Sequence, residues 1–230
     1  MKRINLLVLA GTLLVTASGP AVHARVNGRA DEVLANMQKA ASSIKSIQAK
    51  LEQRKRLAIG GTEIYRGEIF FKHVGKNSDR VRINYEIPAG QTVAVNDKEI
   101  ILYQKEINQC HITSRKTVGT SSNQEFAFFA TPYSLTSAQL KARYEITYVG
   151  PEHVDGASTE VLELTPKTKS NVRKMRWWVD QNSWLPIRSQ VVEQTNDVTT
   201  FILRDARING PMTSGQLDFP CPSDSKRIRH

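Results

Sequence analysis

The sequence predicts a mainly β protein in which about eleven antiparallel strands form one long sheet with flanking helices. Two observations carry this prediction. From residue 62 to residue 208 most segments alternate apolar and polar residues, which is the period of a strand with one buried face. Before them, residues 30–47 repeat apolar side chains at steps of three and four, which is the period of an amphipathic helix.

The first 24 residues have the layout of a secretory signal peptide. A basic start (residues 1–3) precedes an apolar run (residues 4–19), and the small residues Val22 and Ala24 precede a cleavage site. A membrane anchor is the alternative, but the run is short for a span. We therefore expect cleavage after Ala24, a mature domain of residues 25–230, and a periplasmic location.

The predicted N-terminal helix presents one apolar stripe, with Asp31 in its first turn. The stripe consists of Val33, Met37, Ala40, Ile44 and Ile47.

Eleven strand candidates follow this helix in chain order. They are residues 47–57, TEIYRGEIFFKH, DRVRINYE, two short strands of QTVAVNDKEIILYQ joined at Asn96-Asp97, QCHITS, RYEITYV, STEVLELTP, VRKMRWWVD, WLPIRSQVVE and VTTFILRDARI. A long antiparallel sheet curls, and its concave face needs a cover.

Trp177 and Trp178 are neighbours within one predicted strand, so their rings point to opposite faces of the sheet. The alternation places Trp177 with Met175 and Val179 on the concave face. Trp178 then lies on the convex face, where it is either shielded by a neighbouring loop or exposed as a ring for docking a partner.

The segment between residues 121 and 143 interrupts the strand pattern. Phe126, Phe128 and Phe129 crowd together, and Ser134 or Thr136 is a candidate cap for a short helix that contains Leu140. The tail after residue 220 is expected to be mobile.

The residue types that carry chemistry form no recognisable motif. The histidines lack metal spacing, and the chain has neither a G-x-S-x-G elbow nor a glycine-rich phosphate loop. We therefore expect no enzyme, no cofactor and no metal. The net charge of +10 is spread along the chain, which, with export, argues against a nucleic-acid partner. Cys110 and Cys221 either form a disulfide or remain as separate thiols.

The order of elements resembles the periplasmic lipoprotein carrier family of the LolA type. The resemblance rests on YRGEIFFK, RVRINYEIPAGQTVAVNDKEIILYQKEINQC, YEITYVG, EVLELTPK, the long segment beginning WWVDQNSWLPIRSQVVE and ending DARING, and a closing LDFPCPSD. Its most specific part is Trp184-Leu185-Pro186 with the strand pair that follows.

The resemblance implies an incomplete antiparallel β-barrel with a helical lid over an apolar cavity. It implies a monomer that shuttles the acyl chains of lipoproteins, or related lipids, from an inner-membrane release transporter to an outer-membrane acceptor. The lid would consist of Phe126, Phe128, Phe129 and Leu140. The cavity would be lined by Leu51, Ile69, Phe71, Val81, Ile83, Tyr85, Val95, Leu102, Leu164, Met175 and Trp177.

One position departs from the family pattern. Members of the family have an arginine just after the second strand that helps to hold the lid shut, whereas this chain has Lys72-His73-Val74 there. Lys72 or Arg80 is therefore the candidate latch.

Two other functions stay open at this stage. The same fold with a filled core would suit a periplasmic sensor or scaffold that docks a protein through Trp178 and a basic convex face. An enzyme would need a spatial cluster around His73 or His111.

Overall fold

The computed structural model describes residues 21–75, 78–114 and 135–230. These residues form twelve strands and three helices, and a single 3-10 turn covers Lys105–Ile107. The helices are α1 (Ala21–Ser43), α2 (Ser137–Arg143) and α3 (Ser214–Leu217). The strands are β1 (Ser46–Arg56), β2 (Thr62–Gly75), β3 (Ser78–Ile87), β4 (Gln91–Val95), β5 (Glu99–Gln104), β6 (Gln109–Ser114), β7 (Tyr144–Val154), β8 (Ala157–Pro166), β9 (Val172–Asp180), β10 (Pro186–Glu193), β11 (Val198–Ile208) and β12 (Lys226–Arg229).

All twelve strands belong to one sheet in the order β12-β6-β5-β4-β3-β2-β1-β11-β10-β9-β8-β7. Neighbouring strands are antiparallel except β12 and β6, which are parallel. The sheet does not close, because β12 and β7 are its two edges. The prediction of a mainly β fold with an incomplete barrel is therefore confirmed, whereas the helical lid and the apolar cavity stay predictions.

Helix α1 starts before the predicted residue 30 and ends before the predicted residue 47. Ile44 follows its end, and Ile47 pairs with Phe71 in the sheet, so placing these two isoleucines in the helix was wrong. The side chain of Asn209 binds the connection: its Nδ2 donates to Ser43 O (3.0 Å), and its Oδ1 accepts from Lys45 N (2.6 Å). These bonds satisfy backbone groups at the point where the helix gives way to a strand.

Helix α2 begins where its sequence predicts. Thr136 is the N-cap, and its side chain and that of Gln139 bond to each other's backbone N–H in a capping box. Of the two candidate caps, Thr136 is therefore the one used.

The C-terminal tail is ordered, so its predicted mobility was wrong. Strand β12 pairs with β6 from Lys226 opposite Gln109 onward, and Cys221 forms a disulfide with Cys110 across a Cα–Cα distance of 6.2 Å. Phe219 packs beside this disulfide, and Arg82 lies over its ring. The tail thus covers one face of the sheet near β3 to β6.

Gly67 marks an irregular point in the centre of the sheet. The register between β2 and β3 shifts between Arg66 and Gly67. A Cβ on Gly67 would lie 2.1 Å from Asn84 O, so only glycine allows β3 to approach this closely. Such bulges bend the strand that contains them.

Among the residues that the structure describes, no helix has both the length and the apolar character needed to cross a bilayer.

Candidate functional site: two apolar clusters on the inner face

The inner face of the sheet, predicted to be concave, is the face on which α1 lies. Its side chains form two apolar clusters. The first cluster lies beneath α1 and α2, where strands β8 and β9 meet the helices. It consists of Ala30, Val33, Leu34, Met37, Leu140, Leu162, Leu164, Val172, Met175, Trp177, Val179 and Val191.

The second cluster occupies the other half of the inner face, on β1 to β5 and β11. Its buried members are Ile47, Ala49, Leu51, Ile69, Val81, Ile83, Val95, Ile100, Leu185 and Phe201. Partly buried side chains of Ala40, Ile44, Phe71, Tyr85, Val93 and Leu203 pack against them.

The two clusters differ in their cover. The first cluster receives four buried side chains from α1 and Leu140 from α2. Within the described part of the chain, only Ala40, Ile44 and Leu185 contribute to the second cluster from outside the strands. The second cluster is therefore mostly a wall of strand side chains.

The turn between β9 and β10 joins the clusters. Trp184 packs against the first cluster, and its neighbour Leu185 is buried in the second. Trp184 N donates to Asp180 O (2.8 Å), and Leu185 N donates to Ser183 Oγ (3.3 Å), so the turn is tied to the end of β9. The Trp-Leu-Pro motif thus places one large side chain in each half of the inner face.

A buried carboxylate anchors the N-terminal part of α1 to the sheet. Glu160, on β8, is only 2% exposed. It accepts hydrogen bonds from Tyr148 Oη (2.6 Å) and Gln181 Nε2 (3.0 Å), and Arg29 of α1 forms an ion pair with it. Charge pairing of this kind satisfies a carboxylate that burial would otherwise penalise.

Contacts with Glu160 shift the pKa values of Tyr148 and Arg29. Burial, reinforced by the hydrogen bond to Glu160, raises the pKa of Tyr148 above its ordinary value. Hydrogen bonds to Glu32 and then to Glu160 raise the pKa of Arg29. Both side chains therefore hold their protons and act as donors to the carboxylate.

Helix α2 adds a second set of contacts to α1. Ser137 Oγ donates to Leu34 O (3.1 Å), and Ser137 N donates to Gln38 Oε1 (3.0 Å). Lys141 forms an ion pair with Asp31 (2.7 Å). The two helices therefore form one unit over the first cluster.

The predicted cavity residues fall into both clusters. Leu51, Ile69, Phe71, Val81, Ile83, Tyr85 and Val95 lie in or against the second cluster. Leu102 shares its face, because it pairs with Val93 across β4 and β5. Leu164, Met175 and Trp177 lie in the first cluster, under α1. That these residues line a cavity stays a prediction.

The predicted lid and latch have separate outcomes. Phe126, Phe128 and Phe129 lie outside the described residues, whereas Leu140 is buried in the first cluster. Lys72 and Arg80 pair across β2 and β3 on the outer face, and Arg80 forms an ion pair with Asp218 of the C-terminal tail. The structure thus gives Arg80 a partner on the face opposite the clusters.

Trp178 lies on the outer face, as its register predicts, and is 6% exposed. It packs with Val154 and Val161, and Arg188 lies over its ring (5.6 Å). Its Nε1 donates to Glu152 Oε2 (2.7 Å). The ring is therefore shielded, and its interpretation as an exposed docking ring was wrong.

Ion pairs cover much of the outer face around Trp178. Glu163 accepts from Lys174 (2.9 Å) and Arg176 (2.8 Å). Burial opposes ionisation of Glu163, but these two donors outweigh it and lower its pKa. Basic side chains on this part of the outer face are thus partly neutralised by neighbours.

Sequence reasoning missed Arg29 and Glu160. The signal was available for Glu160: in STEVLELTP it shares its strand face with Leu162 and Leu164, both fully buried. A lone charge on an apolar stripe indicates a buried ion pair. Arg29 carried no such signal, because it lies on the α1 turn before the predicted helix start.

The predicted resemblance to the LolA-like fold is confirmed by the match to a family model. The family model of the MucB/RseB N-terminal domain matches residues 76–218. The chain belongs to this family.

Solved structures share the fold at low sequence identity. MucB in the MucA/MucB complex of Pseudomonas aeruginosa is 16% identical, with a TM-score of 0.52 over 84% of this chain and 61% of that one. An uncharacterized conserved protein of Thermus thermophilus is 14% identical, with a TM-score of 0.57 over 88% and 99%.

The chain thus spans about three fifths of the MucB chain that it matches. Among curated protein sequences, no match was found.

Proposed function

We propose that this chain is a periplasmic carrier that binds the acyl chains of lipoproteins, or of related lipids, at the second cluster. The proposal rests on the different extents to which residues outside the strands cover the two clusters. Four buried side chains of α1 pack into the first cluster, whereas the described cover of the second cluster is Ala40, Ile44 and Leu185. An apolar wall of this kind suits hydrocarbon, since each buried methylene contributes about 0.8 kcal/mol.

The division of the inner face also supports a carrier. Apart from the bond that Asn209 donates to Ser43 O at the C-terminal end of the helix, the polar contacts of α1 with other elements lie at Arg29 and Asp31 and along α2, over the first cluster. A ligand at the second cluster would therefore not have to displace the anchored part of the helix. Such a ligand would meet Ile44, which follows the end of α1 and packs against the second cluster.

We further propose that the carrier shuttles its cargo between the inner and outer membranes. The carrier would take its cargo from an inner-membrane release transporter and deliver it to an outer-membrane acceptor. Family resemblance supports this step, and the signal-peptide layout of residues 1–24 agrees with a periplasmic location.

The binding step is tested by titrating the mature chain with a fluorescent fatty-acid analogue. Leu102 lies on the inner face of β5 and is not fully buried, so Leu102→Lys introduces a charge at the cluster with little disruption of the core. Ile107→Lys is the matched control, because Ile107 follows in the next turn and is 54% exposed. We expect Leu102→Lys to weaken uptake at least about tenfold, because a bound hydrocarbon chain would desolvate the introduced charge, and Ile107→Lys to leave it unchanged.

Two results would contradict the proposal. One is the absence of uptake at saturating probe, and the other is an equal effect of the two lysine substitutions.

A second candidate function is a periplasmic sensor or scaffold that binds a protein. Membership of the MucB/RseB family favours it, since MucB is found in a complex with MucA. Delivery distinguishes the two functions. A carrier releases a labelled lipoprotein from spheroplasts and passes it to outer-membrane vesicles, whereas a scaffold binds without delivery.

The proposal does not include catalysis. His73 faces one carboxylate, Asp79, at a distance of 2.6 Å in an exposed pair. Among the described residues, the hydrogen bonds found for His73 and His111 involve no serine, threonine or cysteine that a base would activate.

A further inference from the structure

Two histidines that are 119 residues apart in the chain meet at the edge of the sheet. His111 Nδ1 and His230 Nε2 are separated by 3.2 Å. The two rings are nearly parallel, with an interplanar angle of 7° and centroids 5.5 Å apart. That centroid separation is about as large as a 3.2 Å contact between ring nitrogens allows, so the two nitrogens point at each other.

The backbone on both sides of the pair is fixed by the sheet. His111 belongs to β6, and His230 directly follows β12, the parallel strand beside it. His230 N donates to Ile112 O (3.0 Å), and Arg229 forms an ion pair with Glu99 of β5 (2.9 Å). The disulfide from Cys110 to Cys221 ties the same tail to the residue next to His111. The two imidazoles are therefore brought together by the fold rather than by a flexible end.

We propose that His111 and His230 bind one transition-metal ion of the kind that prefers imidazole ligands, such as Zn²⁺, Ni²⁺ or Cu²⁺. Zinc–nitrogen bonds of about 2.0–2.1 Å at a tetrahedral angle place two ligand nitrogens about 3.3 Å apart. The separation seen here is 3.2 Å, so the two nitrogens already have the spacing of two ligands, and turning each ring by roughly 35° aims its lone pair at a shared ion.

The proposed site is a two-ligand site. Over residues 21–75, 78–114 and 135–230, no group of three or more His, Cys, Asp or Glu side chains suits a metal ion. Water or a ligand from another molecule would complete the coordination shell, and the affinity would be that of an open site. This inference does not depend on acyl-chain binding.

The position of the site gives the metal a structural consequence. β12 is a short edge strand of four residues, and one ion would join its end to β6. His111 also pairs with Leu102, whose side chain shares the face of the second cluster. The ion would thus lie at the rim of the inner face.

The test uses the untagged, disulfide-bonded chain, because an affinity tag of histidines would mask the result. Zn²⁺ and Ni²⁺ are titrated by calorimetry at about pH 7.5, where imidazoles are mostly neutral and free to bind a metal ion. Cu²⁺ binding is followed by electron paramagnetic resonance. The variants are His111→Ala and His230→Ala. His153→Ala is the matched control, because His153 is an exposed histidine on β7, the opposite edge.

We expect one ion per chain, bound at least about tenfold more weakly after loss of either His111 or His230 and equally well after His153→Ala. The Cu²⁺ spectrum should show nitrogen splitting from two imidazoles in the parent chain and from one in each site variant. Absence of stoichiometric binding, or equal affinity in all variants, would overturn the proposal. If His111→Ala lowers stability, the metal affinity of His230→Ala, at an exposed position, still tests the proposal. His111→Gln then replaces His111→Ala, because glutamine is closer to histidine in volume.

Discussion

The Tyr148 hydroxyl donates a 2.6 Å hydrogen bond to Glu160, a carboxylate on β8 that is almost fully buried. Arg29 of α1 pairs with the same carboxylate. A polar triad at the edge of an apolar cluster fixes the position of the helix more strictly than apolar packing alone, because each donor requires a defined geometry. We infer that this triad anchors the N-terminal part of α1 over the first cluster.

Loss of the Arg29 side chain should weaken the attachment of α1 to the sheet. Arg29→Ala leaves Glu160 without its ion-pair partner, and we expect a loss of about 1–3 kcal/mol in the free energy of unfolding. Amide protons of α1 should also exchange faster with solvent. Denaturant titration and hydrogen exchange measure the two effects.

The double variant Arg29→Ala/Glu160→Gln is the control for this prediction. It removes the buried charge together with its partner, so it should be more stable than Arg29→Ala alone. A double variant that is less stable than Arg29→Ala would show that the pair does not act as a unit.

The ion pairs of Glu163 on the outer face should make the free energy of unfolding depend on pH in the acid range. The pKa of Glu163 is lower in the folded chain because, against the effect of burial, Lys174 and Arg176 donate to it. A lowered pKa contributes stability that is present above the pKa of the unfolded state, and this stability is lost as the pH falls through the folded-state pKa.

Glu163→Gln removes that contribution. The stability of the parent chain should exceed that of the variant by less than about 1 kcal/mol near pH 6, since the pair is partly exposed, and the difference should shrink as the pH falls below the ordinary glutamate pKa of about 4.3. Denaturation midpoints across this pH range measure it. A difference that grows toward acid pH would have the wrong sign.

Trp178 should contribute stability rather than docking. Its ring is buried with Val154 and Val161, so Trp178→Ala should cost about 3–5 kcal/mol of folding free energy. Ile107→Ala, at an exposed position, should cost far less. If the chain tolerates Trp178→Ala with unchanged stability, the shielded position assigned to the ring is incorrect.

The Cys110–Cys221 bridge should stabilise the tail. Replacement of both cysteines by alanine should lower the free energy of unfolding by about 2–5 kcal/mol, because the bridge closes a long loop of the unfolded chain. Reductant should destabilise the parent chain and leave the double variant unchanged. Equal stability of parent and variant under oxidising conditions would argue against this role.

Local periodicity was enough to predict most strands and their faces. β6, β9 and β11 have the bounds of the strings QCHITS, VRKMRWWVD and VTTFILRDARI, and the alternation in β9 placed Trp177 and Trp178 on the correct faces. A period of two fixes which residues share a face whatever the strand later pairs with.

Long-range pairing was beyond the reach of such patterns. β12 is a strand because it pairs with β6, which lies far earlier in the chain, and its KRIR sequence has no strand period of its own. The meeting of His111 with His230 depends on that same pairing. The anchor of α1 was missed for a related reason, since Arg29 acquires its role only when the helix crosses β8.

Photo-crosslinking with a diazirine fatty acid tests the central claim most directly. The mature chain is irradiated with saturating probe, and the modified residues are mapped by mass spectrometry. We predict labels on the second cluster, at side chains such as Ile83, Val95 and Phe71, and few on the first cluster beneath α1. Labels confined to the outer face, or spread without preference over both clusters, would contradict the account.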